Sequence, residues 1–585
     1  MAFFIKFALN KVNFRFLDLE NLVLQRRTTI QPFNDSTIFN SSVMIKKIMY
    51  LSVLLMLSIT TVSAQKSILE KSEDQVKLFN AQQRFFAGDF QGSLNVYNDL
   101  KKSMPNDASI LFHIAECYFG MNQFTQSLEN AKKAKSIDPK ANEDISLLLG
   151  KLYFMEGNLD TALTEFTAYR FTVGAGKKAT ESGVDVFISQ VTQAKALMAK
   201  PVDVKIANAG DIINSEYDDK NPSITADGRT LIFTSRRPGK SSALDVEGDK
   251  KYFEDIYISR WDSISKTWSS AELLPGSINT EGHDACTSIS PDGKAIFIYK
   301  NDMEGESRGG DIYYSKLSSS GKWGAPKSIG TPINTTYFEG GACLSPDGSM
   351  LYFVSERPGG FGHADIYFSK RKSATEWDIP VNLGADVNTG EDEGGIFLAP
   401  DGKTLFLSSN GYNSMGGYDI LKTVNENGKW SKPVNLGYPF NTLDNDMSLT
   451  LSVDAQTGYF ASDRKGGKGD LDIYKVDLSN YPVLEKDMKR KVVDSLAILK
   501  GTVFNATVGS ALAAEIVIYD QNGVKVGSTF SNEGSGDYFT TVLSGKTYQV
   551  KIDLEGYKPL EEKVEVKAAK EGATTVVKHF LLYVK

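Results

Sequence analysis

One short phrase returns five times between residues 225 and 455 of this chain and constrains the fold more than any other feature. The copies are Thr225-Ala226-Asp227-Gly228, Ser290-Pro291-Asp292-Gly293, Ser345-Pro346-Asp347-Gly348, Ala399-Pro400-Asp401-Gly402 and Val453-Asp454-Ala455. An alternating apolar run follows, such as Leu351-Tyr352-Phe353-Val354; after the fifth copy it is Gly458-Tyr459-Phe460-Ala461. Each copy then reaches Asp-Ile-Tyr or a near variant: Asp255-Ile256-Tyr257, Asp311-Ile312-Tyr313, Asp365-Ile366-Tyr367, Asp419-Ile420-Leu421 and Asp472-Ile473-Tyr474. In the turn, Pro presets φ and Gly takes the positive φ of a tight hairpin. A period of roughly 54 residues, lengthened once by an insertion, means repetition of one supersecondary unit that cannot bury its own faces.

Such units must pack on one another in a ring, which predicts an all-β propeller over residues 201–478. Each unit supplies four strand signals: one running into the turn, the apolar run after it, the Asp-Ile-Tyr segment, and one following a Trp. Trp323, Trp377 and Trp430 mark the fourth strands, with Trp268 in a divergent version. The missing fourth strand is assigned to Val202 to Ala207, which would close the ring by pairing with the last blade around residues 446–477. This makes five blades, or six if a cryptic blade hides in the insertion at 237–253. The phrases Ser355-Glu-Arg-Pro-Gly-Gly-Phe-Gly-His-Ala-Asp-Ile-Tyr and Ser462-Asp-Arg-Lys-Gly-Gly-Lys-Gly-Asp-Leu-Asp-Ile-Tyr resemble the Tol-type, WD-repeat-like propeller of bacterial periplasmic proteins.

A second repeat lies upstream, with a period of about 34 residues: Gly88-Asp89-Phe90-x-x-Ser93, Asn122-Gln123-Phe124-x-x-Ser127 and Gly157-Asn158-Leu159-x-x-Ala162. Pro105 and Pro139 punctuate the first two copies. A turn followed by a small residue, where two helices must approach closely, resembles the tetratricopeptide repeat, an all-α stack. The domain is placed at 65–200, with a capping helix near 183–199 that Pro201 ends. If the stack binds a peptide or partner protein, its first helices line the groove, with Asn80, Arg84, His113 and Glu116 as candidates.

After a charged connector at 479–497, residues 498–585 read as a small all-β domain of about seven short strands, from Gly501-Thr502-Val503 to Gly556-Tyr557 and beyond. It resembles the carboxypeptidase regulatory-like, Ig-like β-sandwich, a non-catalytic module. The three modules in this order resemble a family of periplasmic proteins of Bacteroidota-type bacteria. In that family an OmpA-like peptidoglycan-binding domain usually comes next, and some members serve the type IX secretion machinery. Here the chain stops at Lys585, so the resemblance does not carry over direct peptidoglycan binding.

The address is read from the amino terminus. Lys46-Lys47, the apolar run Ile48 to Ile59 and Val62-Ser63-Ala64 form a signal peptide at 44–64. Residues 1–43 are then an upstream extension from a misassigned start. The alternative is a signal anchor with a cytoplasmic tail. Export implies a periplasmic or outer-membrane-associated protein. The net charge of −7 becomes more negative once these basic residues are removed, and an acidic body argues against nucleic acid as partner. Three scattered cysteines, Cys117, Cys286 and Cys343, are no disulfide framework and read as core.

No catalytic set stands out. Four scattered His, no His-Glu-x-x-His, no Gly-x-Ser-x-Gly and no Walker loop leave neither metal, cofactor nor nucleophile. The Gly359-Gly360-Phe361-Gly362 and Gly466-Gly467-Lys468-Gly469 runs are blade turns rather than phosphate cradles, since no helix follows them. Arg357 and Arg464 are expected to pair with a neighbouring blade's Asp, or else to read an anion.

One constellation recurs before each innermost strand: Asn, a small residue, then acids. It gives Glu216, Asp218 and Asp219 after Asn214; Glu281 and Asp284 after Asn279; Glu339 after Asn334; Glu391, Asp392 and Glu393 after Asn388; and Asp444 and Asp446 after Asn441. A ring of carboxylates at a channel would attract a basic peptide or cation. The competing reading makes each acid a turn cap or a clasp on a backbone N–H. One acid per blade can be structural while the extra acids are not. The expected function is a non-enzymatic, protein-binding scaffold of the cell envelope; the alternative is a glycan-active or ligand-sensing propeller.

Overall fold

The computed structural model describes residues 72–585, except 226–227, 241–250, 263, 291–292, 294, 302–308, 319–321, 347, 374–375, 412, 453–454, 482, 485–495, 532–535 and 568–573. The signal peptide and the segment before it, most of the insertion, four of the turn aspartates and most of the charged connector therefore lie outside the described residues.

The chain divides near Ala179 into two units. The first holds three helix pairs: α1 (Ser72–Phe86) with α2 (Phe90–Ser103), α3 (Ala108–Gly120) with α4 (Phe124–Ile137), and α5 (Ile145–Met155) with α6 (Leu159–Val173). Asp89, Asp107 and Asn158 cap α2, α3 and α6 by accepting from first-turn N–H groups. The small residues predicted at close approaches are fully buried, and Ser93 and Ser127 also bond the carbonyls of Ala81 and Ala115 on the partner helix. Each pair's second helix feeds the next pair: Leu94, Tyr97 and Leu100 of α2 pack with Ile110, Ile114 and Cys117 of α3. The short α7 (Lys177–Ser182) spans the division, and α8 (Val184–Met198) occupies the segment expected to cap the stack. Within the second unit, α8 is tied down by Gln190 Nε2, which donates to Gly416 O at 2.7 Å.

The second unit contains five antiparallel sheets built on one plan, plus a two-sheet domain. The innermost strands are Asp219–Ile224, His283–Ile289, Glu339–Leu344, Glu393–Leu398 and Asp446–Leu451. Each packs against the next, and the fifth packs against the first, so the cycle closes. The fifth sheet takes its outer strand from the start of the unit: Lys205–Asn208 pairs antiparallel with Asp472–Asp477. Trp268 Nε1 reinforces the closure by donating to Tyr459 of the fifth sheet, and Ser448 of that sheet donates to Asn221 of the first. Every innermost strand carries a bulge, and in four of them a residue near the bulge has positive φ: Asn221, Gly341, Gly395 and Ser448. The connector is shorter than expected, because Val483 and Leu484 are buried in the core of the ring.

The last domain shows eight strands among the described residues, from Leu496 on, rather than about seven. One sheet holds Leu496–Asn505, Asp537–Leu543, Thr574–Val577 and Phe580–Leu582; the other holds Glu515–Tyr519, Lys525–Phe530, Lys546–Ile552 and Leu560–Val566. Leu499, Val503, Ile516, Ile518, Val550 and Phe580 fill the space between them. Thr541 of this domain joins Ile224, Ile289, Leu344, Leu398 and Leu451 around a cavity of about 60 Å³ at the turn end of the ring. The ring is thus covered at that end, and its other end carries the acidic loops.

Candidate functional site

Sequence reasoning sent five acidic loops to one end of the ring, and the structure sorts their residues into two groups. Asp219, Asp284, Glu339, Glu393 and Asp446 are at most 1% exposed and form a repeated clasp rather than an open ring of charge. Each accepts from the backbone N–H and the side-chain hydroxyl of the Ser or Thr four residues earlier. For Glu339 both bonds to Thr335 are 2.7 Å, and for Glu393 those to Thr389 are 2.9 and 2.7 Å. Ser215, Thr280 and Thr442 do the same for Asp219, Asp284 and Asp446. The structure thus places these five channel-binding candidates in hydrogen-bonded clasps: burying an acid is tolerable only where donors replace water, and here they do.

The Asn that opens each loop staples neighbouring sheets. Asn388 accepts from Ile366 N–H at 2.9 Å and donates to Ile366 O at 3.0 Å, both on the Asp-Ile-Tyr strand of the preceding sheet. Asn279, Asn334 and Asn441 repeat this on Ile256, Ile312 and Ile420, and Asn214 carries it across the closure to Ile473. The Asp of Asp-Ile-Tyr holds the glycine turn before it: Asp365 accepts from Phe361 and Gly362 N–H, Asp472 from Lys468 and Gly469 N–H. That is why these glycines are turns and not anion cradles.

Four clasps contain a cation. Arg237, Arg357 and Arg464 reach Asp219, Glu339 and Asp446, and Lys300 reaches Asp284 at 2.8 Å. Each arginine serves its own sheet's acid, not a neighbour's as expected, and lies over two rings of that sheet, such as Phe353 and Tyr367 for Arg357. Sequence reasoning overlooked Arg237 and Lys300; the second position after the strand-ending Ser was the available signal for Arg237. In the fourth sheet Gly411 stands at that position, and no side chain fits, since a Cβ there would collide with Thr389 Oγ1. Glu393 has only hydroxyl and amide donors, Ser409 included, and burial pushes its carboxyl up to about 7.

The remaining acids sit at the rim. On the first two sheets they are answered by bases: Lys251 bridges Asp218 and Asp470, and Lys220 contacts Glu254 at 2.5 Å with His283 at 3.3 Å from the same carboxyl. Burial works against Glu254, but Lys220 and His283 hold it well below the usual carboxylate range. Glu216 and Glu281 are exposed. On sheets three to five carboxyls crowd together. Partial desolvation and then the Asp392 charge raise Glu356, while burial and then Asp463 push Asp444 up to about 6. Asp392 lies 3.5 Å from the Tyr418 hydroxyl and 3.9 Å from His363, and Glu391 is half-buried beside it. Glu356, Asp463 and Tyr418 were not singled out from sequence, because only the fold brings them to the rim.

In the helical unit Asn80 and Arg84 are exposed, and Arg84 is taken up by Asp89 at 2.7 Å. His113 stacks on Tyr97 and bonds Glu116 at 2.7 Å. Lys151, two helices further on, is depressed by burial although Asp144 and Glu116 oppose the shift. Among the described residues no group of three or more His, Cys, Asp or Glu could hold a metal ion, and no helix is long and apolar enough to cross a membrane.

No protein-family model matches this chain, and no curated protein matches it. Solved structures that resemble part of it include the Yersinia enterocolitica type III secretion chaperone SycD in complex with a peptide of the translocator YopD. That match has 12% identity and a TM-score of 0.20, over 21% of this chain and 96% of that one. PcrH in complex with the chaperone-binding region of PopD matches at 18% identity and a TM-score of 0.20, over 21% of this chain and 96% of that one. The first TPR of Spaghetti bound to an HSP90 peptide matches at 15% identity and a TM-score of 0.19, over 21% and 92%. Likenesses this low carry no argument about function.

Proposed function

We propose that this chain is a non-enzymatic, protein-binding scaffold of the cell envelope: a tetratricopeptide-type stack, a five-bladed propeller and a regulatory-like sandwich. The observation that carries the reading is the division of labour among the acids. Five buried carboxyls are consumed in holding the blades, whereas Glu356, Glu391 and Asp444 remain open at the rim of blades three to five, with Asp392 buried beside Glu356 and Asp463 held by Asn445 beside Asp444. Carboxyls that repel one another across a rim favour an incoming Lys or Arg, so the partner is a basic segment. The signal segment at 44–64 and the order of modules support an envelope address and membership of the OmpA-family-like group, including a role beside type IX secretion.

Two measurements test this. Fractionation of the native cells locates the protein; finding it in the cytoplasm with residues 44–64 intact sinks the address. Binding of an oligolysine peptide at low and high salt tests the rim. Affinity should fall steeply with salt, and Glu391→Gln with Asp444→Asn should slow association more than it speeds dissociation. A salt-independent affinity, or one the double variant leaves unchanged, removes the rim as the site.

One observation favours a second reading. Asp444, pushed up to about 6 beside Asp463, is the kind of proton-holding carboxyl that a glycan-active propeller would use. Hydrolysis or lyase activity on a glycan panel that disappears in Asp444→Asn would replace the scaffold reading.

A further inference from the structure

The outer face of the last domain's first sheet runs from a covered end to an open one. Side chains on that face are fixed by register: Ile498 beside Thr541, Lys500 beside Phe539 and Val577, Thr502 beside Asp537, and Phe504 beside Leu581. At the covered end Thr541 lines the cavity under the ring, and Ile498 is 5% exposed. Further along the same face Val577, Leu581 and Tyr583 are 57%, 49% and 59% exposed. Apolar side chains alternating outward from one strand are what a buried strand shows, yet these face solvent.

The strand that carries them is also an edge. Thr574–Val577 and Phe580–Leu582 pair parallel with Leu496–Asn505, and among the described residues no strand lies beyond them. Only the end of the edge is closed, where Lys558 N–H donates to Tyr583 O and Lys585 N–H to Gly556 O. Natural proteins usually blunt such an edge with charge or proline, because it templates pairing with another chain. Here the outward positions are Thr575, Val577, His579, Leu581 and Tyr583. The single cation of the patch, Lys500, has no carboxylate within salt-bridge reach among the described residues, although it sits between Phe539 and Val577.

We propose that this edge accepts an extended segment of a partner protein, added as a further strand, with alternating apolar side chains and an acidic residue beside Val577, from where it reaches across that strand to Lys500. The backbone edge selects an extended chain, the exposed apolar row selects its side-chain alternation, and Lys500 selects its charge. The patch continues a face already covered at one end by the ring, so docking there enlarges an existing buried surface. This site is separate from the acidic rim, which would take the opposite charge.

The test uses the full chain and three synthetic peptides with Val at alternate positions: one with a central Glu, one with a central Lys, and the Glu peptide with N-methylated backbone. Fluorescence anisotropy should show the Glu peptide binding, the Lys peptide at least tenfold weaker, and the N-methylated peptide not at all. Leu581→Lys should cost at least tenfold, and Lys500→Glu should reverse the charge preference. Both positions face outward, so the variants should keep the parent's melting curve. Glu391→Gln at the rim should change nothing here, which separates this site from the rim reading. Three outcomes overturn the proposal: no binding by the Glu peptide, equal binding of the N-methylated peptide, or a dimer in sedimentation that Leu581→Lys abolishes. The last would make the occupant a second copy.

Discussion

Neutralising the same acid in two adjacent sheets should have opposite effects. Glu339 is buried with Arg357, whereas Glu393 is buried without a cation because Gly411 leaves no room for one. Raising the Glu393 carboxyl from its ordinary 4.5 to about 7 corresponds to about 3 kcal/mol between its protonated and charged forms. The folded state therefore holds this proton more tightly than the unfolded one. Its contribution is fully present below about 4.5, is lost as pH rises toward about 7, and stays lost above that. Glu393→Gln removes the titration, so the variant should gain on the parent by up to about 3 kcal/mol between pH 5 and 8. Glu339→Gln instead strands the Arg357 guanidinium and should cost about 3–5 kcal/mol at neutral pH. Urea midpoints from the β-sheet circular dichroism signal, taken at pH 5, 6, 7 and 8, give both differences. Other raised carboxyls, such as Asp419 and Asp444, cancel in the comparison of variant with parent. A Glu393→Gln difference that does not change with pH, or that matches Glu339→Gln in sign at pH 8, refutes the reasoning.

Asn388→Ala leaves the N–H of Ile366 buried without a partner, while Ile366 O keeps its bond from Leu383 N–H, and should cost about 1–3 kcal/mol, read from the same urea transition. Gly362→Ala would press a methyl group into the carbonyl of Glu391 and should cost about 1–3 kcal/mol, while Gly359→Ala, which meets nothing, should cost only its backbone strain. In the helical unit, Ser127→Leu has no space against Ala115 and should lower the melting temperature of the helical signal, whereas Ser127→Ala should shift it little.

How far the sequence could be read depended on the range of the interaction. The alternating runs and the 34-residue helical period are local preferences of φ, ψ and side-chain spacing, and each became an element close to where it was expected, whereas four of the five turn phrases hold residues outside the described ones. The strand at 205–208 could be placed in the last sheet because a missing fourth strand is a counting argument about closure. Asn214 and its equivalents were visible as a pattern, but their partners were not, since each lies on the preceding sheet or, for Asn214, at the far end of the ring.

The residues by themselves determined that these units repeat, that they need one another, and that acids recur at one point of each. Only the tertiary structure decided what those acids do. A carboxyl's role follows from whether water or protein donors surround it, and that depends on chain segments far apart in sequence. Glu339 and Glu393 look alike in the sequence, yet one is paired with an arginine and the other has no cation, so burial raises its carboxyl. The difference is one glycine, Gly411, whose position beside Thr389 exists only once the two strands of the fourth sheet have paired.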